Sequence, residues 1–183
     1  MSYKATETLL PEVILLEPNV HSDDRGFFFE SFNKRDFYEA TGCDVEFVQD
    51  NVSFSHYGVI RGLHFQNPNP QGKLVRVIAG AIFDVAVDLR KNSANFGKSV
   101  AIELSEKNNL QLWVPEGFAH GFQVISNDAT VVYKTSDFWN QGSEQILAWD
   151  DPLLSIPWPI QKKITLNEKD LSGKTLNHSK IFV

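Results

Sequence analysis

Cysteine, clustered basic residues and long apolar runs are all scarce in this sequence, and each scarcity excludes a class of protein. Cys43 is the only cysteine among the 183 residues, so no internal disulfide can form and a reducing, cytoplasmic location is expected. The net charge is −6 and no run of basic residues occurs, which argues against a nucleic-acid surface. Charged residues such as Lys4, Glu7 and Glu12 interrupt every apolar run near the start, so we expect neither a signal peptide nor a membrane span.

The sequence is rich in apolar volume of aromatic form. Its 14 Phe and 4 Trp residues can supply an aromatic core or binding cavity. A hydrophobic fraction of 42% with 22% charged residues is ordinary for a folded globular protein. A length of 183 residues suits one β sandwich or barrel, so we expect a single domain over residues 1–183.

The secondary-structure signals are those of many short strands with very little helix. Apolar or alternating stretches, separated by turns rich in Pro, Gly and Asn, recur at residues 13–16, 44–55 and 129–135. Asn33 and Gly42 are suited to cap the two ends of one short helix. The pattern predicts an all-β antiparallel sandwich or barrel of the jelly-roll kind with a few short helices. A lipocalin-like up-and-down barrel is the alternative.

Residues 73–89 predict a hairpin, because two alternating apolar arms flank the Ala79-Gly80 turn. Two aspartates interrupt the second arm. Asp88 lies near the end of the arm, where we expect it to be exposed. Asp84 lies in the middle, where a buried carboxylate needs a partner such as His or Lys.

From residue 137 onward the chain consists of aromatic segments broken by proline, such as Trp149-Asp150-Asp151-Pro152 and Trp158-Pro159. Proline removes a ladder donor and fits poorly into a central strand. We therefore expect these segments to pack as a cover over the sheet.

The stretch Gly58-Val59-Ile60-Arg61-Gly62-Leu63-His64-Phe65-Gln66 places a guanidinium, two glycines and an imidazole within one predicted strand. Side chains of a regular strand alternate between faces, so Arg61 and His64 would face opposite ways. A bulge at Gly62, where an interior glycine is typical, would let both reach one cavity. On this evidence alone, His64 could equally be a hydrogen-bonded core residue.

Pro115-x-Gly117-x-x-His120 resembles the second half-motif of the cupin jelly roll. Cupins that hold a metal usually supply a His-x-His pair and a glutamate from the earlier half-motif, but the corresponding segment here is His64-Phe65-Gln66. One imidazole from each half is a poor ligand set for a transition metal. We therefore expect a cupin without a metal ion.

A longer series of motifs carries a more specific resemblance. In chain order it comprises Asp24-Arg25-Gly26-x-Phe28-x-Glu30, Gln49-Asp50-Asn51-x-Ser53, Arg61-Gly62-Leu63-His64-Phe65-Gln66, Pro115-x-Gly117-x-x-His120-Gly121-Phe122, Tyr133-Lys134, Trp149-x-Asp151-Pro152, Trp158-Pro159 and Lys169-Asp170. Together these motifs, which run from about Val13 to Asp170, closely resemble the dTDP-4-dehydrorhamnose 3,5-epimerase family of sugar-nucleotide epimerases.

The resemblance implies an isomerase of rhamnose biosynthesis that inverts C3 and C5 of dTDP-4-dehydro-6-deoxy-D-glucose to give dTDP-4-dehydro-L-rhamnose. The 4-keto group acidifies the C–H bonds at C3 and C5. A base can therefore remove a proton to form an enolate, and an acid can return a proton on the opposite face. The chemistry requires no redox cofactor.

By resemblance, His64 is the general base, Tyr133 is the proton donor, and Lys73 is the cation that stabilises the developing oxyanion. The carboxylate that orients His64 is Asp170 by resemblance. Asp84 is the competing candidate from the strand pattern, since either carboxylate could hold the imidazole tautomer.

The resemblance also implies a set of substrate contacts. Guanidinium groups would bind the diphosphate, because their fork matches phosphate oxygens, and an aromatic ring would stack on the thymine where the family often has Tyr. The contacts are Arg25 and Arg61 for the diphosphate, Glu30, Gln49 and Asn51 for the nucleoside, Trp139 for the base, His120 for the substrate, and Glu144 and Lys169 at further binding positions.

Two alternatives stay open from the sequence. A mono-epimerase acting at C3 or C5 alone on a related dTDP-4-keto-6-deoxysugar could keep the same base and acid. A catalytically silent cupin could merely bind the sugar nucleotide, although simple binding does not require the whole catalytic set.

The resemblance implies a homodimer as well. In this family an N-terminal strand lends residues to the neighbouring subunit's site. An edge strand at residues 13–16 would offer a natural pairing surface.

Overall fold

The computed structural model describes residues 3–182, which form two packed antiparallel sheets and a separate two-stranded sheet. Within this range the strands are β1 (Tyr3–Glu7), β2 (Ile14–Pro18), β3 (His21–Asp23), β4 (Gly26–Phe28), β5 (Gln49–His56), β6 (Ile60–Gln66), β7 (Lys73–Ala79), β8 (Ala81–Asp88), β9 (Ser99–Ser105), β10 (Gln111–Val114), β11 (Phe118–Val124), β12 (Asp128–Thr135) and β13 (Glu144–Ile146). The helices are α1 (Lys34–Thr41), α2 (Glu168–Leu171) and a 3₁₀ turn at Leu176–His178. No helix in this range is long and apolar enough to cross a membrane.

The strand order identifies the architecture as a jelly roll. The larger sheet has the order β1-β2-β10-β7-β12-β5, the smaller has β13-β6-β11-β8-β9, and β3 pairs with β4. From β5 to β8 consecutive strands alternate between the two large sheets. Strands of an up-and-down barrel pair with their sequence neighbours instead. The all-β sandwich prediction is therefore confirmed, and the lipocalin-like alternative is wrong.

The hairpin predicted for residues 73–89 is wrong, because β7 and β8 belong to different sheets. The turn at Gly80 carries the chain from one layer to the other. Alternation predicted both strands correctly, but a period of two does not reveal which partner a strand pairs with. The predicted exposure of Asp88 is also wrong. Its carboxylate is buried and lies 2.7 Å from Arg90 Nη2 and 2.6 Å from Ser93 Oγ.

The apolar core lies between the two large sheets. Val77, Ile82, Phe118 and Val131 are all at most 3% exposed, and burying each such side chain contributes roughly 1.5–3 kcal/mol. On the inward face of β7, Lys73 is followed by Val75 and Val77, which belong to the core. The polar end of this strand therefore adjoins the apolar core. The same change along several strands creates a polar region inside the sandwich.

The proline-rich C-terminal segments cover the outer face of the smaller sheet, as predicted. Leu154 and Trp158 are both 5% exposed and pack in one cluster with Leu63 and Phe65 of β6. The Trp158 indole N–H donates to the Trp149 carbonyl at 2.8 Å. This cover also brings α2 against β6.

Helix α1 is the short helix predicted from its caps. The Asn33 side chain accepts a hydrogen bond from the Asp36 N–H at 3.3 Å, and Gly42 ends the helix with a left-handed φ of 71°. Phe37 of this helix packs against Trp113 with ring centroids 5.3 Å apart. The helix therefore lies against the outer face of the larger sheet.

The predicted edge strand at residues 13–16 lies inside the larger sheet. Strand β2 pairs with β1 on one side and β10 on the other, so β1 forms this edge. Val13 is fully buried in the core. The apolar run reflects burial rather than a surface prepared for pairing.

Candidate active site

A cavity of about 170 Å³ lies between the two large sheets. Strands β5, β7 and β12 contribute one wall, and β6, β11 and β13 contribute the other. The residues around it are Gln49, Asn51, Ser53, Arg61, His64, Phe65, Gln66, Gln71, Lys73, His120, Gly121, Phe122, Tyr133, Trp139 and Glu144.

A bulge in β6 brings Arg61 and His64 to the same cavity. His120 of β11 lies opposite His64, but Phe122 lies opposite Arg61, so β6 carries one extra residue between the two pairs. Gly62 has φ of 121°, and a Cβ there would lie 2.6 Å from the Gly121 Cα. Only glycine fits this position. The bulge predicted from Gly62 is therefore present.

Asp170 is the carboxylate that contacts His64. Its Oδ1 lies 2.6 Å from His64 Nε2, and its Oδ2 accepts the Gly62 N–H at 3.4 Å. The Asn167 side chain caps α2 by accepting the Asp170 N–H at 2.6 Å. Asp170 is buried, whereas 33% of the His64 side chain is exposed, so a ligand in the cavity can reach the imidazole.

Asp84, the competing candidate, contacts a different histidine. Its Oδ1 lies 2.8 Å from His120 Nε2, and both side chains are buried. Burial raises the pKa of the Asp84 carboxyl, although the neighbouring His120 opposes the shift. The sequence predicted a partner such as His or Lys for this mid-strand aspartate, and the partner is His120.

Lys73 is a buried cation on the wall opposite His64. It is 7% exposed, and Nζ donates to the Gln71 carbonyl at 3.4 Å. Burial lowers the pKa of Lys73 to about 8, and attraction to Glu144 only partly offsets that effect. A poorly solvated ammonium is well suited to stabilise negative charge that develops on a ligand.

We expect the rate of the epimerisation predicted from the sequence to fall as the pH rises through about 8. Lys73, whose pKa is lowered to about 8, then loses its proton. Below that pH the ammonium is charged and available to an oxyanion. Steady-state rates between pH 6 and 10 test this on the parent and on Lys73→Arg, whose guanidinium stays charged over that range. An identical alkaline limb in both proteins would contradict the assignment.

Tyr133 lies on the larger sheet and faces the cavity. Burial raises the pKa of its phenol, while Arg61 opposes the shift. The hydroxyl therefore keeps its proton at neutral pH. Since His64 lies on the smaller sheet, the phenol and the imidazole approach the cavity from opposite walls.

Arg61 of β6 is fixed by two hydrogen bonds to β5, a strand of the larger sheet. Its Nε donates to Ser55 Oγ at 2.8 Å, and Nη2 donates to the Phe54 carbonyl at 3.1 Å. A guanidinium has five N–H donors, so others remain for an anion. Arg61 and Lys73 give the cavity a cationic character, which Glu144 offsets in part.

Gln49, Asn51 and Trp139 lie together at one side of the cavity. The Gln49 side-chain amide donates to Asn51 Oδ1 at 2.9 Å, and its oxygen accepts the backbone N–H of Trp139 at 3.0 Å. The Trp139 side chain is 52% exposed. The site thus offers an open aromatic face beside two carboxamides, which suits a planar heterocycle.

Glu144 and Lys169 form an ion pair at the end of the cavity. Lys169 Nζ lies 2.6 Å from Glu144 Oε1. Glu144 belongs to β13 and faces the cavity, whereas Lys169 precedes Asp170 in α2. The pair ties the helix that carries Asp170 to the edge of the smaller sheet.

Arg25 and Glu30 do not contribute to the cavity of their own chain. Arg25, at the β3–β4 turn, has a side chain that is 89% exposed and pairs with Asp23 at 2.5 Å. Glu30 follows β4 and lies 3.4 Å from the Asn33 side-chain amide. Both residues were predicted as substrate contacts, and their place outside this cavity is not visible in the sequence motif.

Three polar residues around the cavity were not predicted as site residues, although two of them, Ser53 and Gln66, stand in the quoted motifs. Ser53 shares its strand face with Gln49 and Asn51, and its buried Oγ has no hydrogen-bond partner among residues 3–182. Strand parity could have identified this serine. Gln66 and Gln71 hold a neighbouring loop, which depends on long-range contacts that no local pattern reveals.

No three His, Cys, Asp or Glu side chains within the described part of the chain come together as a metal-ligand set. His64 and His120 each direct Nε2 to a carboxylate. A carboxylate in such a pair fixes the orientation of the imidazole and stabilises its protonated form.

Comparison with known proteins agrees with the family resemblance predicted from the sequence motifs. A family model described as dTDP-4-dehydrorhamnose 3,5-epimerase matches residues 7–178. The dTDP-4-dehydrorhamnose 3,5-epimerase of Pseudomonas aeruginosa is 54% identical over 179 residues, covering 98% of this chain and 99% of the relative.

Solved structures extend the comparison to bound ligands. The dTDP-6-deoxy-D-glucose-3,5-epimerase of Legionella pneumophila, in complex with dTDP-4-keto-L-rhamnose, has a TM-score of 0.94 at 45% identity, covering 96% of this chain and 94% of its own. A 3'-monoepimerase of Streptomyces bikiniensis, in complex with dTDP-quinovose, has a TM-score of 0.87 at 32% identity, covering 93% and 87%.

Proposed function

The chain belongs to the dTDP-4-dehydrorhamnose 3,5-epimerase family, and we propose that it inverts C3 and C5 of dTDP-4-dehydro-6-deoxy-D-glucose with His64 as base and Tyr133 as acid. The product is dTDP-4-dehydro-L-rhamnose, an intermediate of deoxysugar biosynthesis. The observation that carries the proposal is the placement of these two groups on opposite walls of one cavity. Inversion at a carbon requires a proton to leave from one face and return to the other.

The proton leaves as follows. Asp170 contacts His64 Nε2 at 2.6 Å, so with a proton on Nε2 the other ring nitrogen, Nδ1, carries the basic lone pair. Nδ1 takes the proton from C3 or C5, and the C–H electron pair enters an enolate with the C4 oxygen. Asp170 then stabilises the imidazolium.

The enolate oxygen and the returning proton require two further groups. Lys73 supplies the cation for the oxygen, a contribution typically worth about 10²–10³-fold in rate for one such donor. The Tyr133 hydroxyl delivers a proton from the opposite wall. The imidazolium then loses its proton to solvent and the phenolate takes one up, which resets both groups for the second carbon, so the reaction balances without an oxidant or reductant.

The remaining cavity residues suit the nucleotide. The free N–H groups of Arg61 match phosphate oxygens, Gln49 and Asn51 lie beside the nucleoside, and Trp139 stacks on the thymine. His120 contacts the sugar. Glu144 and Lys169 are proposed as further binding positions, although their ion pair also links α2 to β13.

Incubation with the 4-keto sugar nucleotide in D2O tests the function directly. A double epimerase introduces one deuteron at C3 and one at C5, and NMR of the product counts both. Deuterium at only one carbon would support a mono-epimerase, the activity of the S. bikiniensis structure. No deuterium at either carbon, with dTDP still bound, would support a silent binding protein.

We propose a homodimer in which the β3–β4 hairpin serves the partner's cavity. Arg25 lies outside its own cavity, and Phe27 and Phe28 of the hairpin are 62% and 69% exposed. Large exposed apolar groups on a projecting hairpin are typical of a contact surface. A monomer by light scattering at micromolar concentration would contradict this.

Subunit mixing tests the sharing of Arg25. Arg25→Ala and His64→Asn chains should each be inactive as homodimers, because each lacks a diphosphate contact or the base. A mixed dimer should regain one complete site, since the Arg25→Ala chain keeps His64 and receives Arg25 from its partner. Absence of recovered activity in verified mixed dimers would place Arg25 in the cavity of its own chain.

Two further proposals concern the chain as a whole. We propose that residues 1–183 form a single domain, because the N-terminal strands belong to the larger sheet, the C-terminal cover packs on the smaller sheet, and the two sheets share one core. A cytoplasmic location is also proposed, since the single cysteine leaves no structural disulfide to maintain.

A further inference from the structure

The loop between β12 and β13, residues 136–143, carries two exposed aromatic rings beside the cavity. Phe138 is 63% exposed and Trp139 is 52% exposed. Rings that remain open to solvent gain little from packing, so side-chain burial alone does not fix the loop. Its backbone hydrogen bonds must do so.

One buried side chain holds the backbone on both sides of Trp139. Gln66 Nε2 donates to the Phe138 carbonyl at 3.2 Å and to the Asn69 carbonyl at 2.7 Å. Its Oε1 accepts the Asn140 N–H at 2.8 Å. Both amide protons and the carbonyl oxygen are therefore used, and Gln66 is only 2% exposed.

Two other glutamines complete the attachment. Gln49 Oε1 accepts the N–H of Trp139 itself at 3.0 Å, and Gln71 Nε2 donates to the Asp137 carbonyl at 2.7 Å. Of these three, Gln66 is the one that contacts the residues immediately before and after Trp139. A glutamine suits this role because its amide offers two donors and an acceptor at that reach.

We propose that Gln66 is a positioning residue that fixes Trp139 as a preorganised platform for the nucleotide base; this rests on the proposed function. Gln66 and His64 lie on the same strand and face the same cavity. Strand β6 therefore sets the distance between the catalytic base and the base platform. An ordered platform spares the ligand the cost of ordering it on binding.

The experiment compares the dissociation constants of dTDP and of inorganic diphosphate. Stacking of a base on an aromatic ring is worth roughly 1–3 kcal/mol, about 5–150-fold in affinity. Gln66→Leu should raise the dissociation constant of dTDP by a large part of that factor. The dissociation constant of diphosphate should stay within about 2-fold of the parent value. KM should rise with the dTDP constant, while kcat should stay close to the parent value.

A double-mutant cycle shows whether Gln66 acts through Trp139. In a Trp139→Ala background, Gln66→Leu should not weaken dTDP binding any further, because the aromatic platform is already absent. Gln66→Met keeps the length of the side chain and removes all three hydrogen bonds, so it should weaken dTDP binding by a similar factor; it serves if Gln66→Leu does not fold.

The chain supplies a matched control in Gln123. This glutamine is fully buried and makes the same two-way contact, donating to the Ile160 carbonyl at 2.9 Å and accepting the Ile160 N–H at 3.0 Å. Gln123→Leu should lower the melting temperature without changing the ratio of the two dissociation constants.

Equal weakening of dTDP and diphosphate by Gln66→Leu, or additive effects with Trp139→Ala, would overturn the positioning role. If Trp139→Ala itself leaves dTDP affinity unchanged, the base platform of the proposed function fails and the positioning role fails with it. Preserved dTDP affinity in Gln66→Leu, together with a large loss in Trp139→Ala, would refute the role of Gln66 alone.

Discussion

Asparagine in place of His64 is expected to remove deuterium uptake at both C3 and C5 while leaving dTDP binding nearly intact. The variant loses the basic nitrogen but keeps a side chain that can still donate to Asp170. A positioned general base typically contributes about 10²–10⁴-fold, so the exchange rate at each carbon should fall by at least that order. NMR of the sugar nucleotide in D2O measures it, and titration with dTDP checks binding.

The control for this prediction is a second histidine–carboxylate pair of the same length. His56 Nδ1 lies 2.6 Å from Asp128 Oδ1, but both side chains are largely exposed and lie outside the cavity. His56→Asn should therefore exchange deuterium at the parent rate. Parent-like exchange in His64→Asn would remove His64 from the role of base, and His120 would be the next residue to test.

The sequence predicted the strands better than their partners. Alternation and turn residues located β12 within one residue, and the caps located α1, but the strand predicted from residue 44 begins only at Gln49, where β5 starts. The hairpin predicted at residues 73–89 is wrong although both its arms are strands, because the local pattern of a strand does not indicate its partner. Pairing depends on the whole topology, which sends β7 and β8 into different sheets.

Within the candidate site, residues on one strand were easier to place than residues joined across the chain. Gly62 predicted the bulge that puts Arg61 and His64 in one cavity, because an interior glycine is a signal within the strand itself. The carboxylate beside His64 comes from 106 positions away, so Asp84 and Asp170 could not be separated by strand pattern. The family resemblance favoured Asp170, which is the residue that contacts His64.

Burial of charge was also difficult to predict from sequence. Asp88 lies at a strand end, where solvent is the usual environment, but Arg90 and Ser93 satisfy its carboxylate inside the protein. A buried carboxylate is tolerated when its partners are present. These partners lie two and five residues further along the chain, and the side-chain conformations that bring them onto Asp88 are set by tertiary packing.

Phenylalanine in place of Tyr133 should separate proton removal from inversion. His64 and Asp170 remain in this variant, so proton abstraction continues and the enolate forms. The wall opposite His64 then lacks its donor, and protons return from the His64 side or from solvent. Deuterium should therefore still enter C3 or C5, while the rate of forming the doubly inverted product should fall by about 10²–10⁴-fold, the usual worth of a general acid.

The substitution removes one oxygen and conserves the ring, so packing should be little disturbed. Tyr3→Phe is the matched control, because Tyr3 is also buried and its pKa is also raised, to about 12, but it packs outside the cavity. It should form product at the parent rate. A Tyr133→Phe variant that makes the double epimer at nearly the parent rate would show that another donor operates, with water or His120 next in line. Loss of exchange together with product would mean instead that Tyr133 is needed for proton removal, because a donor that acts only after the enolate has formed cannot suppress the exchange that precedes it.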